Sequence, residues 1–358
     1  MGGGAVHGHL GADPGSAVMS VARRAGLLGL ELVLLAVAGW GVLALAYFDH
    51  LPVSLRTALA ASFALASLVT LAAVALSAWR WRVLAGYLVL LAVLGWRWGA
   101  IEPSNDRDWK PETARLASAT LAGNQVTLHN IRNFDYRTET DFSPAYYDRT
   151  FDLDQLDSVD LVASYWMGPA IAHILLSFGF HGQQVAISIE ARAERTEGYS
   201  SVKGFFRQFE LVYVVADERD VIRVRTNYRQ DPPEDVYVYR LPGEPSRARR
   251  LFLEYLRQIN RLVERPQFYN TLTTNCTGSI WLHSQVLPGH LPYSREILLS
   301  GYLPDLLYRR GRLDGTLPFA ELQRRSRIND RARAADQAED FSRWIRVGLP
   351  GATGPPGS

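Results

Sequence analysis

The chain has 358 residues, a net charge of +2 and a single cysteine, and 47% of its residues are hydrophobic. One cysteine excludes an intrachain disulfide, and no GxxxxGK, GxGxxG, HExxH or CxxC pattern signals a nucleotide, cofactor or zinc site. Basic residues are scattered rather than interleaved with aromatic ones. We therefore expect no cofactor, no metal and no nucleic-acid partner.

An apolar block at residues 25–101 predicts three transmembrane helices, at about 25–48, 57–79 and 83–101. The first two exceed the roughly 20 apolar residues that a bilayer crossing needs. The third is shorter and carries Arg97 near its end, so it fits the length of a full crossing less well. The glycine-rich residues before the block, 1–24, are expected to be disordered.

Arginines around the spans predict the orientation. Arg23 and Arg24 precede the first span, Arg80 and Arg82 separate the second from the third, and the loop "DHLPVSLR" has one arginine. The positive-inside rule then places the N-terminus in the cytoplasm and residues 103–348 on the outer face. The alternative is a signal peptide cleaved after "ALA" at 44–46, but its apolar stretch is too long and two more spans follow.

Residues 103–348 are typical of a soluble α+β domain, followed by a tail, 349–358, that is expected to be disordered. An amphipathic helix is predicted at 246–264, with Leu251, Tyr255, Ile259 and Leu262 on one stripe, and a second helix from Cys276 to about Gln285. Alternating or continuous apolar residues predict eight strands, at 124–132, 149–156, 159–166, 172–180, 183–192, 207–218, 220–229 and 235–241. Many strands in sequence with helices at the end argue for an antiparallel sheet.

Cys276 lies in "TLTTNCTGSIW" (271–281), where Asn275 is a candidate helix N-cap. The first turn of a helix presents unpaired N–H groups and partial positive charge, which favour a thiolate over a thiol. The same N–H groups suit a developing oxyanion. The alternative is that Cys276 is a small buried hydrophobe, the usual fate of a free cysteine.

A hairpin supplies a candidate base. "HG" at 181–182 predicts a two-residue turn between the strands at 172–180 and 183–192, which pairs Phe180 with Gln183 and therefore His173 with Glu190. A carboxylate opposite a histidine orients the ring and stabilises the imidazolium. A longer loop would leave Ser188 as the nearest substitute. The alternative is a solvent-facing polar pair, which strands often carry.

Several segments resemble the Lnb N-terminal periplasmic domain, a family named for bacterial lipoprotein N-acylation. They occur in family order between residues 109 and 346 and are "HNIRNFDYR", "SYWMGPAIAHILLSFGF", "VAISIEARAE", "YVVADERDVIRVRT", "QFYNTLTTNCT" and "FSRWIRVGLP". The family is similar to permuted papain-like thiol enzymes, in which a sheet packs on the cysteine helix and the histidine strand comes first.

The resemblance implies that Cys276 is a nucleophile and His173 its base, with Glu190 or Ser188 as third member. Candidates to hold an oxyanion or line a substrate cleft are Asn275, Asn270, Tyr269 and Trp166. The resemblance also implies a bacterial inner-membrane acyltransferase with its active site in the periplasm. Its acyl donor would be a phospholipid, and its acceptor a lipoprotein or another amine. Two alternatives stay open: a thiol hydrolase, either a cell-wall peptidase or amidase or a lipid deacylase, and a non-enzymatic membrane scaffold.

Overall fold

The computed structural model describes residues 14–48 and 51–351. The chain divides into two compact units, Met1–Glu102 and Pro103–Ser358. The first unit holds three helices, α1 (Pro14–Ala46), α2 (Val53–Leu76) and α3 (Arg80–Gly99). The second unit holds the remaining helices and all the strands among the described residues.

Helices α1, α2 and α3 are the three predicted apolar segments. Arg24–Ala46, Val53–Leu76 and Arg80–Gly99 are each long and apolar enough to cross a membrane, with mean hydropathies of 2.2, 2.2 and 1.2. The helices share buried contacts at Phe63 and Tyr87. Helix α1 begins at Pro14, within the segment 1–24 that was expected to be disordered; residues 1–13 lie outside the described residues.

The second unit is built on one large sheet with a small two-stranded ribbon beside it. Its strands are β1 (Ser118–Ala122), β2 (Gln125–Arg132), β3 (Asp135–Tyr136), β4 (Phe142–Ser143), β5 (Tyr146–Asp152), β6 (Leu156–Tyr165), β7 (Ala172–Phe180), β8 (Gln183–Arg192), β9 (Glu210–Ala216) and β10 (Asp235–Leu241). The large sheet has the order β1-β2-β9-β8-β7-β6-β10, with β5 paired to β2, and β3 pairs with β4.

The predicted α+β class is confirmed, but the sheet is mixed rather than antiparallel. Strands β2 and β9 run parallel and meet only at their ends, where Arg132 pairs with Ala216 and the Asp217 N–H donates to the Arg132 carbonyl at 2.9 Å. The other strand pairs of this sheet, in the described part of the chain, are antiparallel. Alternation of apolar residues predicts strands but not which distant strands become neighbours, so this pair was not foreseen.

The strand predicted at 220–229 is wrong. The segment forms a short helix, α4 (Glu218–Val221), and a π-helical turn at Val224–Tyr228. The side chain of Asp217 accepts from the Arg219 N–H and caps α4, and Arg225 reaches back to the Val221 carbonyl at 2.6 Å. Local hydrogen bonds of this kind stabilise helical turns in a segment whose apolar alternation alone favours a strand.

The remaining helices cover both faces of the sheet. They are α5 (Pro245–Glu264), α6 (Cys276–Ser284), α7 (Arg295–Leu298), α8 (Leu303–Arg309), α9 (Phe319–Ser326), α10 (Asn329–Ala334) and α11 (Phe341–Trp344). The predicted stripe of α5 is buried in the main core, against the β7 residues Ile174, Leu176 and Phe178.

A second core lies on the opposite face of the sheet, where Leu175 and Ala186 pack with Ile328, Phe341 and Leu349. Both faces of the β7–β8 hairpin are therefore buried. Leu349 is only 7% exposed, so the predicted disordered tail does not begin there, and residues 352–358 lie outside the described residues.

Candidate active site

Helix α6 begins at Cys276, as predicted. Asn275 is its N-cap, with Oδ1 accepting from the Gly278 N–H at 2.6 Å, and its Nδ2 donates to the Thr271 carbonyl at 2.7 Å. The side chain of Asn275 is therefore committed to holding the turn and the helix start. Since helix geometry gives the first N–H groups no intrahelical partner, those of Cys276 and Thr277 remain at the N-terminus of α6.

The hairpin has the predicted register. Its turn residues, His181 and Gly182, have φ angles of 48° and 89°, which fit a primed two-residue turn. Phe180 pairs with Gln183, and the β7–β8 ladder continues to the pair Leu176–Ile187. Beyond that pair the two strands separate, and His173 lies in the opening.

Ser188 links His173 to Glu190. Its hydroxyl lies 2.7 Å from the Nε2 atom of His173 and donates to Oε1 of Glu190 at 2.7 Å, while Nε2 and Oε1 are 3.8 Å apart. Because the serine proton goes to the carboxylate, Nε2–H donates to the serine. This tautomer leaves Nδ1 as the ring nitrogen that can accept a proton.

The thiol of Cys276 contacts this imidazole. Burial raises the pKa of Cys276, but a hydrogen bond with His173, the charge of that ring and the Ile174 N–H outweigh burial and lower the pKa to about 7. Cys276 is half-buried, and its Sγ lies 3.7 Å from the Thr277 hydroxyl. The sulfur therefore lies at the start of α6, beside the first residues of β7, in an environment that favours the thiolate.

Arg225 binds the carboxylate of Glu190, which Ser188 links to His173. Its Nη2 donates to Oε1 of Glu190 at 3.0 Å, and its side chain is 3% exposed. Burial raises the pKa of Glu190, but Arg225 and His173 outweigh burial and hold that pKa well below its ordinary value. Glu190 is therefore ionised, with its charge shared between a buried arginine and the serine that positions His173.

A second carboxylate lies next to this group. Glu234 accepts from Arg229 at 2.8 Å and from the hydroxyl of Ser164, and Ser164 is the β6 neighbour of His173. Sequence reasoning missed Arg225 and Glu234 because the first lies in a wrongly predicted strand and the second in a turn. Asp217 followed by Asp220 resembles a helix-start pattern that would have corrected the first error.

The other predicted candidates have different surroundings. Asn270 shapes the turn before α6, since its Oδ1 accepts from the N–H groups of Leu272 and Thr273 at 3.0 and 3.1 Å. Tyr269 is buried beside the thiol: burial and the nearby Cys276 raise its pKa. Trp166 lines a cleft of about 300 Å³ with Tyr165 and Tyr237, which does not include Cys276 or His173.

Several charged residues of the motifs quoted above form buried ion pairs away from the thiol site. Asp220 accepts two bonds from Arg132, at 2.9 and 2.7 Å, and Arg346 bonds both Glu218 and Asp160. Glu218 and Asp220, in the motif segment "ADERD", pair with arginines more than 80 residues away in sequence. These motif residues stabilise the face of the sheet opposite α5.

The pH dependence of alkylation tests the state of Cys276. Because the chain has one cysteine, every iodoacetamide adduct reports on this thiol. The rate should rise with pH to half of its maximum near pH 7, the value to which the pKa is lowered. Replacing His173 with alanine removes the interaction that opposes burial, so the midpoint should move above the ordinary 9.0.

Glu254→Gln is the control, because it removes a carboxylate of α5 that is 27% exposed and paired with Arg257. It should leave the midpoint near pH 7. A wild-type midpoint near 9, or a midpoint that His173→Ala does not move, would contradict the thiol–imidazole contact.

Comparison with known proteins gives one match. Residues 142–301 match the family model described as the Lnb N-terminal periplasmic domain, a range that includes His173, Ser188, Glu190, Arg225 and Cys276. No curated protein and no solved structure matches the chain significantly. The match confirms the resemblance over residues 142–301, and together with the apolar helices α1, α2 and α3 it indicates a membrane-anchored protein with a periplasmic domain of this family.

Proposed function

We propose that the protein is a thiol acyltransferase that moves an acyl chain from a phospholipid to the N-terminal amine of a lipoprotein. The contact between Cys276 and His173, with Ser188 and Glu190 behind the ring, is the observation that carries this proposal. An activated thiol beside an oriented base is the arrangement that covalent acyl transfer requires. The family match supports a lipoprotein-related substrate.

In the first half-reaction the Cys276 thiolate attacks the ester carbonyl of the phospholipid. A sulfur–carbon bond forms, the ester carbon–oxygen bond breaks, and the imidazolium of His173 gives its proton to the departing lysophospholipid oxygen. Ser188 and Glu190 hold the ring in the tautomer that accepts the thiol proton on Nδ1. Arg225 keeps Glu190 ionised, so the carboxylate also stabilises the imidazolium between the two proton transfers.

The developing oxyanion is held by the N-terminus of α6. The N–H groups of Cys276 and Thr277 are the donors, because the Gly278 N–H is already bonded to Asn275. Such preorganised donors stabilise the tetrahedral intermediate more than the ground-state carbonyl. Asn275 then acts as a positioning residue, since it fixes the helix start that presents these donors.

In the second half-reaction an uncharged amine attacks the thioester. The amine loses a proton to His173, an amide bond forms and the Cys276 thiolate leaves. Both substrates are lipids confined to a bilayer, which gives the three apolar helices a role as an anchor. The arginines beside the spans support a cytoplasmic N-terminus and a site on the periplasmic face of the inner membrane.

The test is to incubate the full-length protein with a phospholipid labelled in its acyl chain and a diacylated lipopeptide. A transferase yields labelled N-acyl lipopeptide and an equal amount of lysophospholipid, both of which Cys276→Ala removes. Labelled free fatty acid with no acylated lipopeptide would replace this proposal with the thiol hydrolase. Activity that survives in Cys276→Ala would exclude a role for the thiol altogether.

A further inference from the structure

An apolar cavity of about 190 Å³ lies beside the helix that carries the thiol. Its walls come from α6, α5, α8 and the β6–β7 strand pair, and its lining includes Leu176, Leu251, Ile280, Trp281, Leu303 and Leu307. The volume is below the roughly 300–1,000 Å³ typical of pockets for drug-sized ligands. The cavity therefore suits part of a flexible aliphatic chain rather than a bulky ring system.

One end of the cavity is next to the candidate nucleophile. Thr277 lines the cavity, and its hydroxyl is 3.7 Å from the Sγ of Cys276. From Thr277 the lining follows one side of α6 to Ser284, a distance of roughly 10 Å at 1.5 Å per residue. A chain attached to the sulfur can therefore extend along the helix within this cavity.

Charged groups line the cavity beside the loop that follows α6. Arg247 and Arg312 line the cavity there and donate to the carbonyls of Pro288 at 3.0 Å and Gly289 at 2.7 Å. These bonds hold the loop that follows α6 against α5 and against the segment that follows α8. These two guanidinium groups are thus engaged with the protein, and most of the lining offers methyl, methylene and aromatic surface, which favours hydrocarbon over a peptide or sugar.

We propose that this cavity, which we name the α5–α6 cavity, binds the hydrocarbon tail of the acyl group while its carbonyl is bonded to Cys276. The inference rests on the proposed thiol chemistry and specifies the acyl donor: its chain is long enough to extend past Thr277 toward Ser284. The tail in the cavity fixes the carbonyl at the N-terminus of α6, so chain length controls the rate of thioester formation.

The first experiment measures the chain-length dependence of thioester formation on the full-length protein. p-Nitrophenyl acetate and p-nitrophenyl dodecanoate serve as donors, and release of p-nitrophenol reports acylation. Ala248 lines the cavity from α5, so Ala248→Trp should fill it. Each methylene group that is excluded from an apolar site lowers the rate of acylation about fourfold. If the tryptophan excludes two or three methylene groups, the rate with dodecanoate should fall roughly 15-fold to 60-fold, and the rate with acetate should not change.

Arg250→Trp is the matched control, because Arg250 is exposed on the same helix and does not line the cavity. It should leave both rates unchanged, and Ala248→Leu should give an intermediate loss if the tryptophan variant does not fold. Equal loss with both donors, or no loss with either, would overturn the cavity proposal. Failure of wild-type protein to react with either donor would instead contradict the thiol chemistry.

The second experiment does not depend on the thiol. A long-chain fatty acid with a photoreactive diazirine near its methyl end is irradiated with the full-length Cys276→Ala protein, and adducts are mapped by mass spectrometry. The proposal predicts adducts on the α5 and α6 residues that line the cavity, reduced at least tenfold by Ala248→Trp and unaffected by Arg250→Trp. Adducts confined to other parts of the protein would overturn the proposal.

Discussion

Replacing Cys276 with alanine is expected to reduce acyl transfer by at least about 10³-fold, because the covalent route then has no nucleophile. The protein should stay folded, since Cys276 is half-buried at a helix start and the helix cap is made by Asn275. The measurement is the initial rate of N-acyl lipopeptide formation at a fixed amount of folded protein, with folding checked by the unfolding temperature.

His173→Ala provides the stronger comparison. When a base and a nucleophile act as a unit, the rate losses of the two single variants do not add in the double variant. The double variant Cys276→Ala/His173→Ala should therefore be no slower than Cys276→Ala alone. Additive rate losses would show that the two residues act independently, and undiminished transfer in Cys276→Ala would exclude the thiol from the reaction.

Replacing Arg346 with methionine is expected to destabilise the periplasmic unit by about 3–5 kcal/mol, the usual cost of leaving buried charges without a partner. Arg346 bonds Glu218 at 2.6 Å and Asp160 at 2.8 Å, and these carboxylates are 0% and 1% exposed. Unfolding in detergent, followed by tryptophan fluorescence, should show a fall in Tm of roughly 6–20 °C for a unit of this size.

Arg324→Met is the matched control, because Arg324 pairs with Glu321 at an exposed site, where ion pairs contribute about 0–1 kcal/mol. The double variant Glu218→Gln/Arg346→Met should recover part of the loss by removing one unpaired charge. A loss below 1 kcal/mol for Arg346→Met would contradict the buried pair. If the double variant regained full stability, the ion pair with Arg240 alone would be enough to stabilise the buried Asp160.

The same pair predicts acid sensitivity. Burial raises the pKa of Glu218, but the charge and hydrogen bonds of Arg346 outweigh burial and lower it below the ordinary 4.5. A lowered carboxyl pKa contributes stability above the unfolded pKa and loses it as the pH falls toward the folded pKa. This contribution is therefore fully present at neutral pH and decreases below about pH 4.5.

The parts of the site that depend on local geometry could be predicted from the sequence. The "HG" turn fixed the hairpin register, because a two-residue primed turn allows one pairing. Asn275 before Cys276 predicted the helix start, since an N-cap is a short-range signal. The apolar stripe of α5 followed from its 3.6-residue period.

The parts that depend on distant residues could not be predicted. Glu190 was expected directly opposite His173, but the strands separate before that pair and Ser188 fills the gap between the two side chains. Arg225 reaches Glu190 from a π-helical turn that alternation misassigned to a strand. The parallel contact of β2 with β9 and the pairing of Glu218 with Arg346 join segments that no local pattern connects.

The most direct measurement is the mass of the Cys276 peptide after brief incubation of the protein with phospholipid alone. The account predicts a mass increase of one acyl chain on Cys276, removed by hydroxylamine as expected for a thioester, lost in His173→Ala and discharged when a diacylated lipopeptide is added. An unmodified Cys276 peptide under conditions where the lipopeptide still becomes acylated would contradict the account.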